Sequence, residues 1–85
     1  MLIKVLAAET NLNAAGNVGN ATVVRLYNGH SAALVISRTD ASDNAIGSLT
    51  VKNGETVVLE KEPTDKLITS AGTTSVKAVK VAYRN

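Results

Sequence analysis

Cysteine is absent from the chain, so no disulfide and no thiolate zinc site can reinforce the fold. Tryptophan and phenylalanine are also absent, and the only aromatics are Tyr27 and Tyr83. Platforms that stack bases or sugars are therefore nearly excluded. Histidine occurs once, at His30, which rules out a His-clustered metal centre. Proline also occurs once, at Pro63, so little rigid punctuation is available. No stretch approaches the ~20 apolar residues that span a bilayer. Met1–Leu6 is apolar but lacks a basic flank and the ~7–15-residue apolar run of a signal peptide. The expectation is a protein made in a cytoplasm, neither exported by the general route nor embedded in a membrane.

A dominant charge is missing too. Nine Lys or Arg stand against seven Asp or Glu, a net charge of +2. Nucleic-acid binders concentrate such an excess on one face. Here the cations are spread along the chain, with a local bias only at Lys77, Lys80 and Arg84. A solvated strand face accounts for that bias, and nucleic acid is not an expected partner.

Eleven Val, nine Thr and four Ile in 85 residues make the chain rich in β-branched side chains. Their restricted χ1 favours the pleated strand, and eight Asn with six Gly supply turn positions. At this length one domain fits, and folding buries only about 60% of the unfolded surface.

The pattern along the chain divides into an N-terminal strand or arm with a loop (1–19) and a β domain (20–85). Leu2–Ala8 is apolar on both alternating faces, as in a strand covered on both sides or docked on another subunit; a short helix is the alternative. Residues 9–20 hold four Asn and two Gly, a long loop. Strands are expected at Asn20–Tyr27 and Ser31–Thr39, joined as a hairpin by Asn28-Gly29. Asp40–Asn44 forms a turn closed by Asp and Asn side chains. The next strand is Ala45–Val51, where Gly47 suggests a bulge or close backbone approach. Asn53-Gly54 signals a second hairpin, leading to Glu55–Lys61. Glu62–Asp65 breaks the ladder. A short strand at Leu67-Ile68 ends near Ala71-Gly72. In Thr74–Tyr83, Val76 and Ala78 share one face while Val79, Val81 and Tyr83 take the other, which a bulge would reconcile.

The expected fold is thus all-β, a small antiparallel β-sandwich or barrel of about seven short strands. The expected core is Val24, Leu26, Leu34, Ile36, Leu49, Val51, Val57, Leu59, Leu67, Val79 and Val81.

Candidate chemistry is sparse. His30 follows a turn signal and reads as a solvent-facing side chain; Ser31 beside it lacks any nucleophile-elbow pattern. Asp40, Ser42, Asp43 and Asn44 carry oxygen ligands without the spacing of a calcium loop, and read as a polar turn. Glu55, Glu60, Glu62 and Asp65 are the one acidic cluster, but no aromatic residue accompanies them to hold a sugar. Gly16-Asn-Val-Gly19 is a GxxG without the flanking helices that an RNA-binding loop needs. Asn20-Ala21-Thr22 matches a glycosylation acceptor that has no secretory context. No catalytic residue, cofactor or metal site is expected, and the protein reads as non-enzymatic.

The surplus of apolar residues on both faces of several strands points elsewhere. Ile3/Leu6, Val23/Val24, Leu34/Val35 and Val57/Val58 exceed what a two-layer domain of this size can bury. Burial against partners or identical copies would use them, as would ordinary exposed apolar surface.

Four stretches carry a resemblance. Ala21-Thr-Val-Val-Arg-Leu-Tyr-Asn, Ala33-Leu-Val-Ile-Ser, Ile46-Gly-Ser-Leu-Thr-Val and Gly54-Glu-Thr-Val-Val-Leu-Glu-Lys-Glu-Pro-Thr-Asp resemble the small all-β structural proteins of tailed-bacteriophage virions. These include capsid decoration (cement) proteins and small tail or neck components. The resemblance is one of strand rhythm over about residues 20–65, and it transfers no residue role. It implies a virion location, many copies, and contacts with the major capsid protein or other virion proteins. Leu2, Ile3, Val5, Leu6, Leu12 and Val18 are the expected contact residues. A head–tail or tail component and a small host-surface or glycan-binding module remain the alternatives.

Overall fold

The computed structural model describes residues 2–70 and 75–84. Among the described residues there are eight strands: β1 (Leu2–Val5), β2 (Thr10–Asn11), β3 (Val23–Asn28), β4 (Leu34–Thr39), β5 (Ala45–Val51), β6 (Thr56–Glu60), β7 (Lys66–Thr69) and β8 (Val76–Arg84). All pairings are antiparallel. One sheet runs β1-β8-β3-β6, with β2 also on β8; the other runs β5-β4-β7. The expectation was an all-β sandwich or barrel of about seven short strands; the fold is all-β, with its strands in two antiparallel sheets as in a sandwich.

Alternation decides what each strand buries. In β3, Val24, Leu26 and Asn28 turn inward, and register sets Leu26 between Ala78 of β8 and Val57 of β6. From the second sheet Leu34, Ile36, Val51 and Leu67 close onto them. Leu12, Ala21, Val76 and Ala78 complete this core and were not among the expected members. Leu49 was expected there but is 37% exposed, and Val57 and Leu59 are only half-buried. The shortfall has one cause: β5 and β6 are edge strands whose inner faces lie at an open side of the sandwich.

Both Asn-Gly pairs were expected to close hairpins, and neither does. β3 and β4 lie in different sheets, as do β5 and β6, so each pair sits at a corner where the chain changes sheets. Gly54 has the positive φ of +80° that a tight turn requires. Gly29 serves another purpose, because a Cβ there would stand 2.8 Å from the Ser75 carbonyl oxygen. Asn28 is fully buried and ties the two corners together. Its Nδ2 donates to the carbonyls of Val51 (2.9 Å) and Ala32 (3.2 Å), and its Oδ1 accepts from the His30 amide (2.8 Å). Its backbone exchanges bonds with Glu55 and Gly54.

The one simple hairpin among those expected is β4–β5. Asp40 closes it, its Oδ1 accepting from the Ser42 and Asn44 amides. The ladder slips between Arg38↔Gly47 and Thr39↔Ala45, leaving Ile46 as the extra residue beside the glycine expected to mark a bulge.

β8 needs no bulge. Its pairing with β3 is unbroken from Val76 to Lys80, and it buries both faces: Val76 and Ala78 inward, Val79 and Val81 outward. The discontinuity sits on its other edge, where residues 6–9 of the β1–β2 connection oppose only Val79 and Lys80. The expected strand end near Ala71-Gly72 and the expected start at Thr74 lie outside the described residues, as does the side chain of Tyr83.

Candidate assembly surface

The two sides of the sandwich are closed differently. On one side the loop expected at 9–20 does more than connect. After β2 adds to β8, Leu12 drops into the core at 4% exposure, with its amide bonded to the Val76 carbonyl. Gly16 then pairs with Leu67 through two backbone bonds of 3.1 and 2.9 Å, stitching the loop to the free edge of β7. The return turn places Val18, Gly19 and Asn20 in succession at φ of +55°, +64° and +57°. Asn17 and Asn20 hold it with a 2.9 Å side-chain bond. A β-branched residue at positive φ is strained, and Val18 is kept there partly by packing against the core.

Among the described residues the opposite side, between β5 and β6, has no such cover. A cavity of about 280 Å³ opens there, lined by Ile36, Ile46, Leu49, Leu59 and Leu67, with Arg38 and Glu60 at its rim. Arg38 is held in place, its Nε donating to Asp65 Oδ2 at 2.8 Å. Asp65 is buried and also accepts from the Glu62 amide at 3.1 Å. The Arg38 hydrogen bond holds its carboxyl below the usual 3.8, against the opposing effect of burial. Nearby Lys61 is 3% exposed and donates to the Glu62 and Pro63 carbonyls. Burial lowers its ammonium from the usual 10.5, and the charge of Asp65 opposes that.

The expected contact residues separate into two groups. Leu2, Ile3, Val5 and Leu6 are 67%, 42%, 63% and 45% exposed. The expected covering of both strand faces is therefore not supplied by this chain. Beyond Lys80, β8 keeps β1 as its register partner and leaves β3 behind, so β1 and the end of β8 form a two-stranded ribbon, apolar along β1. Leu12 is corrected to a core residue, and Val18 to a half-buried one beneath the strained turn. The outward faces of the sheets carry further apolar side chains, among them Val35 and Val58 from the surplus expected of two-faced strands. Tyr27 and Val58 lie on one and Val35 and Ile68 on the other, each 37–39% exposed.

The remaining candidates resolve into local structure. His30 is half-buried and anchored through its amide. Asp40 Oδ2 accepts from Asn44 Nδ2, and Asp43 pairs with Lys66 at 3.0 Å. Glu55 Oε1 accepts from the Lys52 amide, while Glu60 and Glu62 stay exposed. Lys77 and Lys80, three apart on β8, face opposite ways. Lys77 donates to Asn11 Oδ1 and Lys80 to the Gly19 carbonyl. Among the described residues no group of three or more His, Asp or Glu side chains could hold a metal ion, and no helix is long and apolar enough to cross a membrane.

No known protein family, curated protein or solved structure matches this chain.

Proposed function

We propose that the chain is a non-enzymatic structural protein of a tailed-phage virion, a decoration (cement) protein that stabilises the head through strand-face contacts with the major capsid protein. The observation that supports this reading is the ribbon of β1, whose apolar side chains are exposed on both faces, together with the outward Tyr27, Val58, Val35 and Ile68. Apolar surface distributed in this way is stabilising only when a neighbour covers it. A lattice of identical subunits presents such neighbours in fixed register, and a domain of this size gains stability from the assembly.

The experiment is mass spectrometry of purified particles, combined with co-sedimentation of the purified chain with heads that lack it. Presence in particles and binding to heads are expected. Absence from particles, with no binding to heads or other virion components, refutes the reading. A copy number matching the capsid lattice supports decoration, whereas a few copies per particle reassign the chain to the neck or tail.

A further inference from the structure

One side of the sandwich is sealed by its own loop, and the other is an open apolar seam between two strand edges, of β5 and β6, that have no partner among the described residues. The same chain carries a strand with the complementary properties. β6 presents a free edge flanked by Glu55, Glu60 and Glu62, while β1, at the far edge of the same sheet, is Leu-Ile-Lys-Val with Lys4 its one charge. Among the described residues neither Lys4 nor Glu60 takes part in an ion pair. The two strands match in length, four residues against five, with Leu6 continuing β1.

We infer that the seam is the docking site for β1 of a second copy of this chain, added as a strand along the free edge of β6. Unpaired edge N–H and C=O groups then find partners. Alternation settles the orientation. With Lys4 turned outward to Glu60, Ile3 and Val5 turn into the seam against Leu49, Leu59 and Ile46. Because β1 and β6 are opposite edges of one sheet, the contact joins unlike surfaces. It therefore propagates from copy to copy into a closed ring or an open filament. The inference concerns the purified chain alone and does not rest on the virion reading.

Because the chain lacks cysteine, cross-linking tests it cleanly. Lys4→Cys and Glu60→Cys are made separately, given tags of different mass, and oxidised alone and mixed. The expected result is a disulfide between unlike variants in the mixture and none in either alone. Charge reversal gives a second readout by light scattering over a concentration series. Lys4→Glu or Glu60→Lys alone weakens association about two- to five-fold, and the double variant restores it. Val5→Asp, which places a carboxylate in the seam, weakens it at least ten-fold, with circular dichroism showing that the variant is folded. Cross-linking of Lys4→Cys with itself would assign β1 to a like-with-like contact and overturn the inference. A sample that stays a single copy to the solubility limit, with no cross-link in the mixture, overturns it as well.

Discussion

Replacing Asn28 with Ala tests the strongest structural claim, that one buried side chain holds both sheet-crossing corners. The substitution deletes three hydrogen bonds: to the Val51 carbonyl, the Ala32 carbonyl and the His30 amide. The Val51 bond is fully buried, and a buried polar group left without its partner costs about 1–3 kcal/mol. The other two are part-buried, and their freed groups recover some water, so each loses about 0.5–1.5 kcal/mol. The total is about 2–6 kcal/mol, a large share of the roughly 5–15 kcal/mol that stabilises a domain. At roughly 4–8 °C per kcal/mol in a domain of this size, a loss of about 4 kcal/mol lowers the midpoint by about 16–32 °C. The assay is denaturant and thermal unfolding followed by far-ultraviolet circular dichroism, since the chain has no Trp to report by fluorescence. Asn28→Asp is expected to be worse at neutral pH, because it turns a carboxylate oxygen toward two carbonyls and buries a charge. An Asn28→Ala variant within about 1 kcal/mol of the parent would refute the pinning role.

The acid limb of the stability curve should depend on Asp65. Its carboxyl titrates below the usual 3.8 in the folded chain, so its stabilisation is present above that value and lost as pH falls through the folded one. Asp65→Asn flattens this limb in pH-dependent unfolding; an unchanged limb would contradict the ion pair's role. Lys61 acts in the same direction in a higher pH window: its lowered value means that there too the unfolded chain binds more protons. Stability therefore rises as pH climbs toward 10.5, and Lys61→Met should abolish that rise. At Val18, φ of +55° inverts the usual order of small residues, so Val18→Gly should be more stable than Val18→Ala by about 1 kcal/mol in denaturant melts. Equal stabilities would argue against strain. Leu26→Ala should cost about 2–5 kcal/mol and Leu49→Ala, at the open seam, clearly less. Comparable losses would mean that the seam is closed in solution.

Much of the architecture was legible along the chain because it rests on local chemistry. Period-two alternation set the inward residues of β3 and β4, and Asp40 with Asn44 identified the β4–β5 turn. Gly47 marked the bulge. These features depend on neighbours one to four residues away, which the sequence lists directly. Turn chemistry misled where it was asked for more. Asn-Gly reports that the chain bends, but not whether the next strand pairs with the last or crosses to the other sheet. That choice is made by distant groups: Val51 against Asn28, and Ser75 against Gly29.

The sequence by itself determined an all-β domain without cross-links, with more apolar strand face than it can bury. Composition and alternation are enough for that, because they set propensity and the hydrophobic ledger of each strand. Only the tertiary structure decided where the surplus lies. Val79 and Val81 lie buried on the outward face of β8, and Leu12 is taken into the core by a loop that stitches itself to β7. Leu2, Ile3, Val5 and Leu6 are left exposed at one edge of the sheet while Leu49 and Leu59 line an uncovered seam at the other. Burial depends on which strand is an edge, and edges are set by sheet order, a property of the whole chain rather than of any one segment.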